Sequence, residues 1–166
     1  MIDKKRLVIR RISLVLFFMY LGFLTYLLFF SDGYGRSIHD EYRYNFIPFQ
    51  EIKRFYYSRD VVGTYAMLTN IAGNVLAFVP FGTLIRWVRG KGKKTTLLFA
   101  VVSTFVFSLI IESVQFITKV GVFDVDDLML NTLGGLLGFC IYRLIAAADR
   151  GIASAKEKEN GEVFPG

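Results

Sequence analysis

The sequence has very little of the residue types on which disulfides, zinc sites and nucleophilic catalysis depend. It contains one cysteine, Cys140, and one histidine, His39, among 166 residues. A single cysteine excludes an intrachain disulfide and leaves no metal-ligand spacing. No nucleophile is accompanied by a recognisable general base, and His39 stands in a polar stretch. These absences weigh against an enzyme without excluding one, and they give no reason to expect a cofactor.

Charged residues are also scarce, at 20% of the chain, whereas 54% of the residues are apolar and the mean hydropathy is +0.45. A helix needs about 20 apolar residues to cross the hydrocarbon core of a bilayer. The composition predicts an all-α integral membrane protein in which a four-helix bundle occupies residues 1–148. A polar, disordered cytoplasmic tail is predicted at 149–166. Four runs reach the required length, at 12–30, 65–88, 96–118 and 128–148.

Acidic residues are absent from the segment 86–94, which carries five basic residues. The N-terminus has a similar excess of Lys and Arg. Basic loops remain on the cytoplasmic side of a membrane, so both termini are predicted to be cytoplasmic. The net charge of +6 then reflects topology and not a nucleic-acid partner. The first span is predicted to be a retained anchor, because it is longer than the apolar part of a signal peptide.

The extracytoplasmic loop at 31–64 is rich in aromatic residues, which favour the headgroup region of a bilayer. After Pro48, the residues Phe49, Ile52 and Tyr56 recur at helical spacing. The pattern indicates a short amphipathic helix on the bilayer surface, with an irregular loop as the alternative.

Polar residues inside the predicted spans are the strongest candidates for a functional site, because burying them in lipid is costly. They fall near the outer ends of three spans and predict a polar pocket open to the outer leaflet. Glycines further along the fourth span predict close contact with another helix. The polar candidates are Asn70, Asn74, Glu112, Gln115, Asp127 and Asn131, and the glycines are Gly134, Gly135 and Gly138.

Each candidate also has a structural explanation. Asn70, Gln115 and Ser108 are residue types that hydrogen-bond across helices merely to hold a bundle together. Glu112 is either a functional group or a protonated structural carboxyl. The acidic run has two alternative roles, which are helix capping and the binding of a divalent cation. Its members are Asp124, Asp126 and Asp127.

Five short motifs between residues 45 and 145 together resemble the VanZ-like family. They read Asn45-Phe-Ile-Pro48-Phe49, Asn70-Ile-Ala-Gly73-Asn74 followed by Phe78-Val-Pro80-Phe81-Gly82, Glu112-Ser-Val-Gln115, Phe123-Asp-Val-Asp126-Asp127 and Asn131-Thr-Leu-Gly134-Gly135. Many members carry a basic residue shortly before the acidic run. In this chain Val122 occupies that place, and the nearest cation is Lys119.

The resemblance implies a protein of the bacterial cell envelope that lowers susceptibility to teicoplanin and related lipoglycopeptides. It implies as partners the bilayer and either lipid-linked envelope components or the lipoglycopeptides themselves. The competing hypothesis is a membrane enzyme that acts on a lipid-linked or cell-wall substrate. Its acid or base would be Glu112, with Asp124, Asp126 and Asp127 as its acid/base or cation site. An ion path is a third alternative, although one intramembrane acid makes a poor relay.

Overall fold

A computed structural model describes residues 2–30, 41–57, 64–89 and 95–162, in which four long helices dominate. All four are long and apolar enough to cross a membrane. The prediction of an all-α, four-helix membrane bundle is therefore confirmed. In chain order the elements are α1 (Ile2–Phe30), β1 (Tyr44–Asn45), α2 (Gln50–Tyr57), α3 (Thr64–Val88), α4 (Leu97–Thr118), β2 (Phe123–Asp124) and α5 (Val125–Glu162).

The helices extend beyond two of the predicted spans. The helix α1 begins at Ile2, and α5 continues to Glu162. The structure thus corrects the prediction of a disordered tail after residue 148, as far as Glu162. The tail is rich in Ala, Lys and Glu, which are strong helix formers, and it continues a helix that is already nucleated. Residues 163–166 lie outside the described part of the chain.

The closest packing in the bundle joins α3 to α5 through glycines. A Cβ atom added at Gly134 would lie 2.1 Å from the carbonyl oxygen of Val75, and one added at Gly138 would lie 2.0 Å from that of Val79. Val79 follows Val75 by four residues in α3, just as Gly138 follows Gly134 by four residues in α5. The contacts advance together along both helices, so α3 and α5 run in the same direction. The Thr83 hydroxyl also donates to the Gly138 carbonyl oxygen at 3.1 Å.

A second glycine contact brings α4 against the same region. A Cβ atom at Gly82 would lie 1.9 Å from the Gly135 carbonyl oxygen, and one at Gly135 would lie 2.1 Å from the Thr104 hydroxyl. Pro80 lies inside α3, which continues through it to Val88. Apolar clusters that include α1 complete the core, with Phe17, Phe81, Ile85, Ala100 and Phe139 in one and Leu24, Leu28, Phe78 and Ile111 in the other.

The two ends of the bundle differ in charge. We call the end where α4 stops and α5 begins the acidic end, because it contains the run 124–127. The opposite end, where α1 begins and α3 stops, carries Arg10, Arg86 and Arg89, and we call it the basic end. The positive-inside rule predicts that the basic end faces the cytoplasm.

A short parallel β-ladder at the acidic end joins the segment before α2 to the start of α5. Tyr44 pairs with Phe123, and Asn45 pairs with Asp124. The sequence analysis did not predict this ladder. The helix α2 is present where the spacing after Pro48 indicated one.

The predicted orientation is open to a direct test with single cysteines in a Cys140→Ala background, since Cys140 is exposed. Glu41 and Ser154 are exposed residues beyond opposite ends of the apolar spans. On intact cells, an impermeant thiol reagent is expected to label Glu41→Cys and to leave Ser154→Cys unmodified until the membrane is opened. The reverse labelling would overturn the orientation.

Candidate functional site

The carboxylate of Asp126 holds the start of α2, although more than 70 residues separate the two in sequence. One oxygen accepts the backbone N–H of Phe49 at 2.5 Å. The other accepts those of Glu51 at 2.9 Å and Ile52 at 3.2 Å. The first N–H groups of a helix have no partner within it, and a negative charge suits this end of the helix dipole. Asp126, which is only 1% exposed, is therefore the cap of α2, supplied by α5.

Asp124 is the N-cap of α5, the helix that begins at the next residue. Its Oδ1 accepts the backbone N–H of Asp126 at 2.8 Å, two residues on, as an N-cap does. The same oxygen accepts Nδ2 of Asn45 at 3.1 Å, and the Asn45 side-chain oxygen accepts the N–H of Ile47 at 3.0 Å. Asn45 and Asp124 thus fasten the β-ladder with side-chain bonds.

The turn between the ladder and α2 is strained. Phe49 has a φ of 63°, a conformation that a bulky residue rarely adopts. Pro48 precedes it, and the N–H of Phe49 is one of the three held by Asp126. Strained backbone persists when its surroundings over-determine it, and the Asp126 carboxylate supplies that constraint here.

Glu112 is 2% exposed and belongs to the same network. Its Oε2 accepts the backbone N–H of Asp124 at 3.3 Å, so α4 holds the junction between β2 and α5. An intramembrane acid with a backbone donor at this distance can position the acidic run.

The remaining polar candidates pair across helices instead of meeting at one point. Asn74 donates to the Asp127 carboxylate, which joins α3 to α5. Nδ2 of Asn131 donates to the Ser108 hydroxyl at 2.8 Å, which joins α5 to α4. Asn70 is half-buried one turn closer to the acidic end. The sequence analysis expected these side chains to converge on one pocket. In the structure they instead form separate interhelical pairs along the acidic half of the bundle.

Gln115 links α4 to α1 by donating from Nε2 to the carbonyl oxygen of Leu28 at 3.0 Å. Its Oε1 and the Oδ1 of Asn131 are buried and have no hydrogen-bond partner among the described residues. A buried polar atom without a partner costs about 1–3 kcal/mol. Both atoms are acceptors, so a group that satisfied them would be a hydrogen-bond donor.

The acidic run does not form a cation site within the described residues, where no group of three or more His, Cys, Asp or Glu side chains is placed to hold a metal ion. Asp124, Asp126 and Asp127 point to different protein donors. Each of the three carboxylates accepts a hydrogen bond in helix capping or interhelical pairing. A divalent cation is not needed to explain the positions of these carboxylates.

Burial and neighbouring charges perturb the carboxyl groups at the acidic end. Burial raises the pKa of Glu51 above its usual 4.5, and the Asp124 and Asp126 carboxylates raise it further, while Arg54 and Arg43 oppose the shift. Burial also raises the pKa of Asp124, against the lowering effect of its hydrogen bond from the Asp126 N–H. Glu51 was not recognised as a site residue, because nothing in its local sequence places it beside the acidic run.

These shifts predict a pH dependence of stability. A carboxyl whose pKa is raised on folding favours the folded state when it is protonated, so its contribution is full below 4.5 and is lost as the pH rises through the folded-state pKa. We expect the melting temperature in detergent to rise on acidification from neutral pH toward 4.5. Glu51→Gln should be at least as stable as the parent at neutral pH and should show a smaller rise. An equal rise in both proteins would contradict the assignment to Glu51.

An aromatic cluster flanks the acidic end. The ring centroids of Tyr42 and Phe116 are 5.0 Å apart, those of Tyr44 and Phe46 are 5.1 Å apart, and Phe46 lies 5.5 Å from Phe123. Tyr42, Tyr44 and Phe46 are each more than half exposed. The sequence analysis placed aromatic residues of this loop in the headgroup region but did not pair them with Phe116 or Phe123.

Comparisons with known proteins agree with the motifs. A stretch of 71 residues is 42% identical to "Protein VanZ" of Enterococcus faecium, and it covers 43% of this chain and 42% of that protein. The match thus spans less than half the length of that relative. No solved structure gives a significant match. The family model described as VanZ/LLP1 matches residues 17–146, which is most of the chain. This multi-pass membrane protein therefore belongs to the VanZ/LLP1 family.

Proposed function

We propose that this protein acts in the bacterial cytoplasmic membrane to lower susceptibility to teicoplanin and related lipoglycopeptides. The observation that carries the proposal is the attachment of α2 to the acidic end through the buried Asp126 carboxylate. In the proposed orientation, this attachment fixes a polar and aromatic surface at the outer leaflet. Teicoplanin carries an acyl chain, so its lipid-anchored end would meet the membrane at that surface.

The chemistry of the acidic end fits a ligand that donates hydrogen bonds. Among the described residues, the buried acceptors there without a protein donor are the amide oxygens of Gln115 and Asn131. Hydroxyl and ammonium groups, which glycopeptides and lipid headgroups both carry, would satisfy such acceptors. The exposed rings of Tyr42, Tyr44 and Phe46 would add apolar contact beside them.

The geometry favours this role over the enzyme hypothesis. An acid/base catalyst must reach a substrate proton, and a metal-dependent hydrolase needs converging ligands. Glu112 contacts the backbone of Asp124, and the aspartates cap helices or pair with amides. These contacts support a structural and recognition role for the carboxylates.

The proposal is tested by expressing the protein in a susceptible Gram-positive host. We expect the inhibitory concentration of teicoplanin to rise, and that of a glycopeptide without an acyl chain to rise less. Glu112→Gln, with parental abundance in the membrane, is expected to lose most of the protection. If the parent protein gives no protection, the proposed function is wrong. If Glu112→Gln protects as well as the parent, the role of the carboxyl is wrong.

A further inference from the structure

Arg10 continues the side of α1 that faces the bundle. Along this helix the buried positions Ser13, Phe17 and Leu24 recur at spacings of four and seven residues, and Arg10 lies three residues before Ser13 and seven before Phe17. Arg10 is half-buried, whereas the next residue, Arg11, is exposed. The Nε atom of Arg10 is buried and has no hydrogen-bond partner among the residues that the structure describes. A guanidinium group stays charged in proteins, so this N–H lacks an acceptor that it needs.

Arg89 lies at the same level of the bundle. The rings of Phe17 and Phe81 are 5.6 Å apart, which fixes the relative heights of α1 and α3. With a rise of about 1.5 Å per residue, Arg10 is about 10 Å from Phe17 toward the basic end, and Arg89 is about 12 Å from Phe81 in the same direction. Two arginines from antiparallel helices therefore lie at similar depth.

Thr95 belongs to this level too. Ala100 packs in the same cluster as Phe17. With a rise of about 1.5 Å per residue, Thr95 lies about 8 Å from Ala100 toward the basic end. The guanidinium of Arg89 lies 3.8 Å from the ring centroid of Phe99, in the first turn of α4. Thr95 is 9% exposed, and its buried hydroxyl has no hydrogen-bond partner within the described parts of the chain.

The N-terminus of α4 completes the arrangement. Thr96 is its N-cap and accepts the N–H of Phe99 at 3.2 Å, and Thr95 immediately precedes it. The positive end of a helix dipole attracts anions. The sequence from 86 to 95 contains no acidic residue, and Asp149, the acidic residue of α5 nearest this level, is exposed. The unsatisfied atoms described at this end belong to donor groups, whereas those at the acidic end are acceptors.

We propose that the basic end binds a phosphate group between Arg10, Arg89 and Thr95, as carried by a phospholipid of the leaflet at that end. Phosphate oxygens accept several hydrogen bonds at once, and arginine is suited to them because its donors form a planar fork. Basic pockets between membrane helices on the cytoplasmic side bind anionic headgroups in this way. Free inorganic phosphate has the same chemistry and is the other source.

Native mass spectrometry of the detergent-purified protein tests the proposal. The probes are phosphatidylglycerol and a diacylglycerol with the same acyl chains but no phosphate. The parent is expected to retain phosphatidylglycerol preferentially. Arg10→Gln should weaken that binding by about tenfold, the loss expected of at least one hydrogen bond to a charged group. Arg11→Gln removes the same charge one residue away, on the exposed side, and should bind as the parent does.

Thr95→Val, which is nearly isosteric, provides a second test that leaves the arginines in place. It should lower phosphatidylglycerol binding by a smaller factor than Arg10→Gln. Inorganic phosphate that displaces the lipid would identify free phosphate as a ligand of the same site, and failure to displace it would identify the lipid headgroup. Equal losses in Arg10→Gln and Arg11→Gln, full binding by Thr95→Val, or equal retention of diacylglycerol would each overturn the proposal.

Discussion

Replacing Gly138 with alanine is expected to remove most of the folded protein that detergent can extract. The added Cβ atom would lie 2.0 Å from the Val79 carbonyl oxygen and 2.9 Å from the Thr83 backbone nitrogen. Both neighbours are backbone atoms, so relief requires α3 and α5 to separate. Overpacking of this kind costs about 1–3 kcal/mol, and separation would also break the hydrogen bond from the Thr83 hydroxyl to Gly138. Monodisperse yield and melting temperature are the measurements.

The chain provides matched controls for this substitution. Gly22 and Gly151 are also helical, but a Cβ atom added at either would meet nothing within 4 Å. Alanine at these positions should be neutral or stabilising, because glycine costs a helix up to about 1 kcal/mol relative to alanine. Gly134→Ala should behave like Gly138→Ala. If Gly138→Ala proves as stable as the Gly22→Ala control, α3 and α5 do not pack through this surface.

The second large effect is expected from Asp126→Asn. Asparagine often replaces aspartate at a helix cap with little loss. Here, however, both carboxylate oxygens accept backbone N–H groups, from Phe49 on one side and from Glu51 and Ile52 on the other. An amide presents only one oxygen, and its NH2 group would face a donor. We expect the loss of one or two hydrogen bonds to a charged group, each contributing about 1.5–3 kcal/mol.

Hydrogen exchange locates this loss. The amides of Glu51 and Ile52 should exchange at least about tenfold faster in Asp126→Asn, since about 1.4 kcal/mol corresponds to one factor of ten. Amides in the middle of α4 should change little. Asp127→Asn is the control, because its amide oxygen can still accept the hydrogen bond from Asn74. Unchanged exchange in α2, or equal effects of the two substitutions, would contradict the capping of α2 by Asp126.

The parts of the fold that follow from composition and periodicity could be predicted. Runs of about 20 apolar residues identify the four spans whatever their neighbours are. The spacing of Gly134 and Gly138 indicated a helix contact, because two small residues one turn apart make a flat surface. The partner helix could not be read from that spacing, since several helices offer a similar backbone.

The capping and pairing contacts of the acidic run could not be predicted from the sequence, and the reason is different. Asp124, Asp126 and Asp127 are close in sequence, yet one caps α5, one caps α2 and one pairs with Asn74. Their roles depend on the direction in which each side chain leaves the turn and on segments that are distant in sequence. Capping chemistry was anticipated for the run, but the helix that Asp126 caps was not.

The parallel arrangement of α3 and α5 has a consequence for biosynthesis. Two helices that run in the same direction through a membrane need an intervening span, so α4 must enter the bilayer before the glycine surface of α5 can meet its partner. The carboxylate that secures α2 also arrives with α5. Until then, Asn74 has not met Asp127 and the start of α2 has no cap. Insertion of α5 therefore completes both the interior of the bundle and the attachment of α2, after α1, α3 and α4 have been made.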